Sequence, residues 1–256
     1  MRLGFIGTGT ITHAIVTGLL RVGASFESIC LSPRNAQTAA MLATLDSRIA
    51  VCRTNQEVLD TCDVACLAVV PQIASDVLGA LTFEARHHII SFMAGIPIAD
   101  VQRMTGKATG VVRAIPLPAV AAAKGSTAIC PPDEVARRLF SWVGAAVEVD
   151  DESKFDALSA VTATMASFYA VLETQAAWLV KQGVDYSSAR AYLAAYCMGL
   201  ANGAVEGGQP YSTLVQQSMT PGGINEQLHE ELSRRGSYTH YSDALDRVLT
   251  RIAGQK

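Results

Sequence analysis

The sequence predicts an α/β fold, an open, doubly wound sheet, followed by an all-helical domain. Over the first 150 residues, short apolar runs alternate with helical patterns at the spacing of βαβ units. The first apolar run ends in a glycine-rich turn that opens a helical pattern. Residues 152–201 then contain almost no glycine or proline, which is typical of long helices. We therefore predict two domains, residues 1–150 and residues 151–256.

The apolar runs of the first half predict a series of strands. DVACLAVV is nearly continuous in apolar residues, as expected of a central parallel strand that is covered on both faces. Alternating strands and helices predict right-handed crossovers between the parallel strands. The predicted strands are 2–6, 28–32, 48–52, 63–70, 87–93 and 110–115, closed by GSTAIC and AAVEV around a helix near 132–143. The other predicted helices are 12–22, 36–45 and a short one after Thr54.

The second half predicts helices that are apolar on more than one side. AVTATMASFYAVLETQAAWLVKQG predicts one long helix that ends at Gly183, and Ser187 or Ser188 is expected to cap the next. Helices that are apolar on several sides need several neighbours, which an intertwined dimer would supply. Three more helices are predicted, one from Pro210, one over 222–235 and one over 242–253.

Composition excludes several classes of protein. The 256 residues are 50% hydrophobic and 17% charged, with a formal net charge of -3, so no general nucleic-acid binding is expected. No continuous apolar run reaches about 18 residues and the N-terminus does not resemble a signal peptide, so no membrane partner is expected. The six cysteines form no CxxC pair and have no histidine cluster, which favours reduced thiols in a cytoplasmic protein without a metal site.

Gly7-Thr8-Gly9 lies where the first strand passes into the first helix. In a Rossmann-type dinucleotide-binding unit, the first glycine permits the tight turn and the second lets the backbone approach the pyrophosphate. The helix N-terminus then offers unpaired N–H groups to the phosphates. Thr12 occupies the third position of the pattern, where a small residue other than glycine can serve helix packing. The turn therefore predicts a dinucleotide site.

The end of the second strand indicates which dinucleotide is preferred. The segment Leu31-Ser32-Pro33-Arg34-Asn35 lacks the acidic residue that would bind a ribose 2′-OH. The Ser32 hydroxyl and the Arg34 guanidinium can instead bind a 2′-phosphate, which favours NADP. The alternative is that Arg34 is only a solvated loop cation.

Several segments in order along the chain resemble the pyrroline-5-carboxylate reductases, the last enzymes of proline biosynthesis. The resemblance implies a Rossmann domain, a helical domain that interlocks with a partner subunit in a dimer or larger homo-oligomer, and reduction of a cyclic imine with NAD(P)H. The segments that carry the resemblance are GFIGTGTITHAIVTGLL, LAVVPQ, SFMAGIPIADVQRM, VVRAIPLPAVAAAKGST and SMTPGGINEQLHEEL.

The resemblance also implies which residues form the sites. Thr220, Gly222 and Gly223 are expected to bind the substrate carboxylate, Asn225 its ring nitrogen, with Thr164 in the same pocket. Thr220, Asn225 and Thr164 are thus the candidate catalytic residues, and Met219 completes the substrate set. With Ser32 and Arg34, the expected cofactor contacts are Gly7, Thr8, Gly9, Thr10, Ile11, Val69, Pro71, Ala94 and Gly95.

The chain departs from the family pattern at functional places. Val70 stands where the family usually has Lys, Leu117 where it has Asn, and Ile224 where it has Thr. Residues 162–167 replace a glycine-rich turn. Three hypotheses stay open: a proline-forming pyrroline-5-carboxylate reductase, a sibling reductase of another small imine or keto acid, and a non-catalytic NADP-binding protein.

Overall fold

One eight-stranded sheet forms the first part of the chain in the computed structural model, which describes residues 1–254. The strand order is β3-β2-β1-β4-β5-β6-β7-β8. Neighbouring strands run parallel except β6 and β7, which are antiparallel. The strands are β1 (Arg2–Ile6), β2 (Ser28–Leu31), β3 (Ile49–Val51), β4 (Val64–Leu67), β5 (His88–Ser91), β6 (Gly110–Pro116), β7 (Gly125–Cys130) and β8 (Gly144–Glu148). The predicted doubly wound sheet is therefore confirmed.

The order of the first six strands, 3-2-1-4-5-6, is that of a dinucleotide-binding Rossmann fold. Strand β4 lies between β1 and β5 and is buried along its whole length, as the apolar run predicted. The run 63–70 is longer than the strand, and its last residues form the loop that leaves the sheet edge. Because the connections after β1 and β4 leave in opposite directions, a crevice is expected at this edge.

Helices cover both faces of the sheet over two apolar cores. One core joins β1 to α1, α2 and α6 through residues such as Phe5, Leu19 and Phe140, and the other holds α3, α4 and α5. The short helix predicted after Thr54 is confirmed, and the Thr54 hydroxyl caps it by accepting from Glu57 N at 3.1 Å. The helices are α1 (Thr10–Arg21), α2 (Ala36–Ala43), α3 (Asn55–Thr61), α4 (Ala74–Gly79), α5 (Ile98–Thr105) and α6 (Glu134–Ser141).

A buried arginine anchors the start of the helical part to the sheet. Arg113 on β6 is 4% exposed and pairs with Glu152 at 2.7 Å and Asp156 at 3.2 Å, while its guanidinium lies 4.4 Å from the centre of the Phe155 ring. Glu152 also accepts from Ile98 N at 2.9 Å. A buried cation costs much free energy unless it is paired, so these contacts fix the first turns of α7 against β6.

The second half is all-helical, with different boundaries from those predicted. The predicted single helix over 160–183 is wrong, because a break at Ala163 separates α7 from α8. Gly183 does follow the end of α8, with a φ of +92°. Asp185, rather than Ser187 or Ser188, caps α9 by accepting from Ser188 N at 3.0 Å. The helices are α7 (Glu152–Thr162), α8 (Thr164–Lys181), α9 (Tyr186–Gly207), α10 (Tyr211–Gln217), α11 (Ile224–Arg234) and α12 (Ser237–Ile252).

The chain divides into two compact units, Met1–Ser159 with the C-terminal residues from Ile252, and Ala160–Arg251. The boundary predicted at residue 150 stays a prediction. The second unit has a small core of its own, formed by Ala176, Ala189 and Leu193. Large apolar side chains on its helices are exposed, among them Tyr169, Trp178, Tyr192 and Leu200.

One helical stretch is long and apolar enough to cross a membrane, judged by length and composition only. It covers Glu152–Lys181, and the expectation that the protein has no membrane partner stays a prediction. A single stretch of this kind is weak evidence of a span, because the core helix of a soluble protein passes the same test.

Candidate active site

Gly7 makes the turn that leaves β1, and only glycine fits there. Its φ is +104°, and a Cβ at this position would lie 2.5 Å from the carbonyl oxygen of Ala68, just after β4. A side chain would therefore meet both backbone strain and a hard contact with the neighbouring strand exit. The fold requires this glycine whether or not a ligand binds.

Three side-chain hydrogen bonds stabilise the turn. The Ser32 hydroxyl accepts from Gly7 N at 2.9 Å, and Thr8 Oγ1 donates to Ser32 O at 2.8 Å. Thr12 is fully buried, and its hydroxyl donates to Gly7 O at 2.7 Å. Ser32 is 1% exposed, and its hydroxyl supports the loop. That Ser32 also contacts a 2′-phosphate stays a prediction.

Gly9 differs from Gly7 because the fold does not require it. It is the residue before α1, and no atom lies within 4 Å of where its Cβ would be. The space beside it lies at the start of α1, where the amides of Thr10 and Ile11 belong to the first turn and lack intrahelical acceptors. The open space, the free amides and the positive end of the helix dipole together suit a phosphate.

The turn forms one wall of a cleft of about 400 Å³ at the carboxyl ends of the strands. Of the predicted cofactor contacts, Gly7, Thr8, Gly9, Arg34 and Val69 line it. The remaining predicted positions, Thr10, Ile11, Pro71, Ala94 and Gly95, are not among its lining residues, and all lie at or next to the connections that leave this edge. Sequence reasoning missed Asn35, Ala36, Ala68, Val70 and Ile73, which complete the lining.

The far wall of the cleft carries a positive charge and no acidic side chain. Arg34 is exposed, and no ion-pair partner is recorded for it within residues 1–254. Asn35 is fixed beside it, because its side chain accepts from Thr38 N at 3.4 Å and caps α2. The S-P-R-N segment before a helical pattern was the available signal for this cap. The wall is therefore suited to a second anionic group.

The two glycine amides of the predicted substrate loop before α11 are already occupied. Gly222 N donates to Glu226 Oε2 at 2.6 Å, and Gly223 N donates to Thr220 O at 2.7 Å. The Asn225 side-chain amide donates to Ser218 O at 2.9 Å. The amides of Gly222 and Gly223, which are expected to bind the substrate carboxylate, thus already have acceptors inside the chain. Sequence reasoning missed Glu226, although an acid three residues after a helix N-cap was its signal.

The other predicted substrate residues lie in two separate cavities of the second unit. Met219 and Asn225 line an apolar cavity of about 700 Å³ with side chains such as Phe168 and Tyr196. Thr164 lines a cavity of about 190 Å³ with His240, and its hydroxyl donates to Val161 O at 2.8 Å. The prediction that Thr164 shares the pocket of the loop residues therefore does not fit these cavities.

The cysteines offer no reactive or metal-binding site within the part of the chain that the structure describes. All six are free, and Cys30, Cys52, Cys62, Cys66 and Cys130 are buried. Burial raises the pKa of the Cys62 thiol to about 12, which keeps it protonated and unreactive at neutral pH. No group of three or more His, Cys, Asp or Glu side chains in residues 1–254 could hold a metal ion.

The fold and the cleft define the class of protein: a Rossmann-type dinucleotide-binding domain followed by an all-helical domain. Residues 2–95 match the family described as NADP oxidoreductase coenzyme F420-dependent, and residues 152–254 match pyrroline-5-carboxylate reductase dimerisation. The chain belongs to the pyrroline-5-carboxylate reductase family, and the resemblance stated from the sequence is confirmed.

Relatives along the whole chain support this assignment. Pyrroline-5-carboxylate reductase of Methanosarcina acetivorans is 29% identical over 266 aligned residues, which cover 98% of this chain and 96% of the relative. The enzyme of Synechocystis sp. is 31% identical over 182 residues, 67% of either chain. The crystal structure of Plasmodium falciparum pyrroline carboxylate reductase with NADP bound has a TM-score of 0.83 at 19% identity, covering 100% of this chain and 98% of that one.

Gly9→Ala tests whether the open space at the start of α1 receives a ligand. We expect the affinity for NADPH to fall about tenfold or more, because the added Cβ displaces a phosphate from charge-assisted hydrogen bonds. The free energy of unfolding should change little, because the new methyl group meets no atom within 4 Å. Gly79→Ala, which also adds a Cβ in open space but at the end of α4, is the matched control.

The measurement is titration of the purified variants with NADPH by intrinsic fluorescence or calorimetry, with urea unfolding in parallel. Equal NADPH affinity in wild type and Gly9→Ala would show that no phosphate approaches this turn.

Proposed function

We propose that this protein reduces pyrroline-5-carboxylate to proline with NADPH as the hydride donor. The observation that carries the proposal is the cleft at the β1 turn, where Gly9 leaves open space beside the free amides of α1, in a chain of this family. The NADP-bound relative supports the choice of cofactor.

The chain's own residues bind and orient the dinucleotide in this proposal. Backbone amides at Gly9 and the first turn of α1 hold the diphosphate, and Arg34 holds the 2′-phosphate. Bound NADPH supplies the hydride that adds to the C=N carbon. The protein then has to fix the imine at reacting distance and exclude water, and both are tasks of positioning.

The direct test follows NADPH oxidation at 340 nm with pyrroline-5-carboxylate as the substrate and proline as the measured product. We expect saturable turnover with a lower KM for NADPH than for NADH, because the end of β2 lacks an acidic residue. Saturable NADPH binding without turnover would favour the non-catalytic alternative.

Arg34→Ala tests the cofactor preference. Loss of the guanidinium removes a charge-assisted contact to the 2′-phosphate, so the KM for NADPH should rise about tenfold. The KM for NADH should stay unchanged, because NADH has no 2′-phosphate. Arg21→Ala, which removes an exposed arginine at the far end of α1, is the control. If both cofactors were affected equally, Arg34 would only be a solvated cation.

The protein is proposed to act as a homodimer or larger homo-oligomer in the cytoplasm. The exposed apolar side chains of α8 and α9 and the match to the dimerisation domain support an interface on the second unit. The second subunit in such an interface would also cover the apolar surface of the stretch over residues 152–181. The six free cysteines support a reducing compartment.

Leu200→Glu tests this interface. Leu200 on α9 is 56% exposed, and a charge there should be buried without a partner when two subunits meet. We expect the molar mass from light scattering to fall to that of one chain at micromolar concentration. Leu45→Glu is the matched control, because Leu45 is 52% exposed but lies in the first unit. Unchanged mass in Leu200→Glu would place the interface elsewhere.

A sibling reductase for a different imine or keto substrate is the second candidate. The observation that favours it is the loop before α11, whose Gly222 and Gly223 amides already have acceptors inside the chain. A panel of cyclic imines with and without a carboxylate, each assayed with NADPH, separates the two candidates.

A further inference from the structure

A carboxylate of the chain accepts a hydrogen bond from the loop that is expected to bind the substrate carboxylate. Gly222 has a φ of +70°, and its N–H donates to Glu226 Oε2 at 2.6 Å. Glu226 lies in the first turn of α11 and is half-buried. Short hydrogen bonds between an amide and a carboxylate are charge-assisted and are among the stronger ones in proteins.

Two more donors of this loop are occupied by acceptors of the same chain. The Gly223 amide donates to Thr220 O at 2.7 Å, and the Asn225 side chain donates to Ser218 O at 2.9 Å. No cation is recorded beside Glu226 within residues 1–254, since the arginines of α11 pair with Glu231. The loop therefore presents a negative charge where the family resemblance led us to expect an anion-binding site.

This charge acts in opposite directions on two kinds of imine. A carboxylate that approaches Gly222 must displace Glu226 and is repelled by it. A protonated cyclic imine without a carboxylate carries a positive charge and is attracted. The same amide cannot serve both carboxylates at once, because it has one proton to donate.

We propose that Glu226 is a specificity-determining residue that lowers the affinity for carboxylate-bearing cyclic imines relative to cyclic iminium ions that lack a carboxylate. The inference rests on the proposed function, because it requires that the loop before α11 faces the imine. It goes beyond that function by assigning the substrate preference of this chain to one side chain, Glu226.

The test compares pyrroline-5-carboxylate with 1-pyrroline, its analogue without the carboxylate, at saturating NADPH. In Glu226→Gln the negative charge is lost, while the side-chain oxygen can still accept from Gly222. We expect the KM for pyrroline-5-carboxylate to fall about tenfold, as for loss of a competing charge-assisted hydrogen bond. The KM for 1-pyrroline should not fall, and kcat should stay within about twofold, because uniform binding changes KM alone.

Two further variants make the test selective. Glu230→Gln removes an exposed charge one turn along the same helix and should leave both KM values unchanged. Glu226→Asp keeps the charge but shortens the reach to Gly222, so it should lower the KM for pyrroline-5-carboxylate less than Glu226→Gln does. The thermal unfolding midpoint of each variant reports whether the substitution has destabilised the N-terminus of α11. If Glu226→Gln does not fold, the KM values of Glu226→Asp are compared with those of the wild type instead.

The outcomes separate the inference from the function on which it rests. An unchanged ratio of the two KM values in Glu226→Gln, with wild-type turnover, overturns the inference and leaves Glu226 as a helix cap. Absence of turnover of either imine by the wild type overturns the proposed function together with the inference. A selective fall of the KM for pyrroline-5-carboxylate supports both.

Discussion

The close passage of Gly7 against the exit of β4 is the constraint on which the first unit depends. Two parallel strands end side by side here, and the chain can leave β1 only through a backbone conformation with positive φ at a residue without a Cβ. Ser32 and Thr12 then hold this turn through hydrogen bonds to its amide and its carbonyl. Because the turn is held from β2 and from α1 at once, the start of α1 is fixed relative to three strands, and the cleft beside Gly9 exists before any ligand enters it.

The second unit meets a different constraint, because its helices have more apolar surface than they bury within one chain. Its core consists of Ala176, Ala189 and Leu193, whereas Trp178 and Leu200 remain exposed. Large exposed apolar surfaces of this kind mark interaction sites in soluble proteins. The same surplus explains why one stretch of this chain has the composition of a membrane span. The match of this domain to the dimerisation family supports the proposal that a second subunit covers this surplus.

Sequence reasoning succeeded where one local property decides the structure. The buried strands follow from apolar runs, and the Gly7 turn follows from the position of two glycines between a strand and a helix. Sequence reasoning failed where contacts with other parts of the chain, or a choice between similar side chains, decide the structure. No glycine or proline marks the break between α7 and α8 at Ala163. The cap of α9 was assigned to a serine rather than to Asp185 because aspartate and serine side chains can both cap a helix. The burial of Ser32 behind the turn was not predicted, because it depends on how β2 packs against β1, which the sequence does not state.

Two glycine pairs of the chain, Gly7 with Gly9 and Gly222 with Gly223, show what decides whether an amide is a binding group. Gly7 and Gly9 have different roles. The backbone turn requires a glycine at Gly7, whereas Gly9 faces open space at the start of α1. Gly222 and Gly223 have the same appearance in the sequence, but both amides already donate to oxygens of their own chain. A free N–H gains a full hydrogen bond from a ligand, whereas an occupied one gains only the difference between two acceptors. The difference is smallest when the internal acceptor is a carboxylate, because an incoming carboxylate has the same strength as an acceptor. A glycine motif therefore predicts where an anion can approach, and the internal acceptors determine whether its binding is favourable.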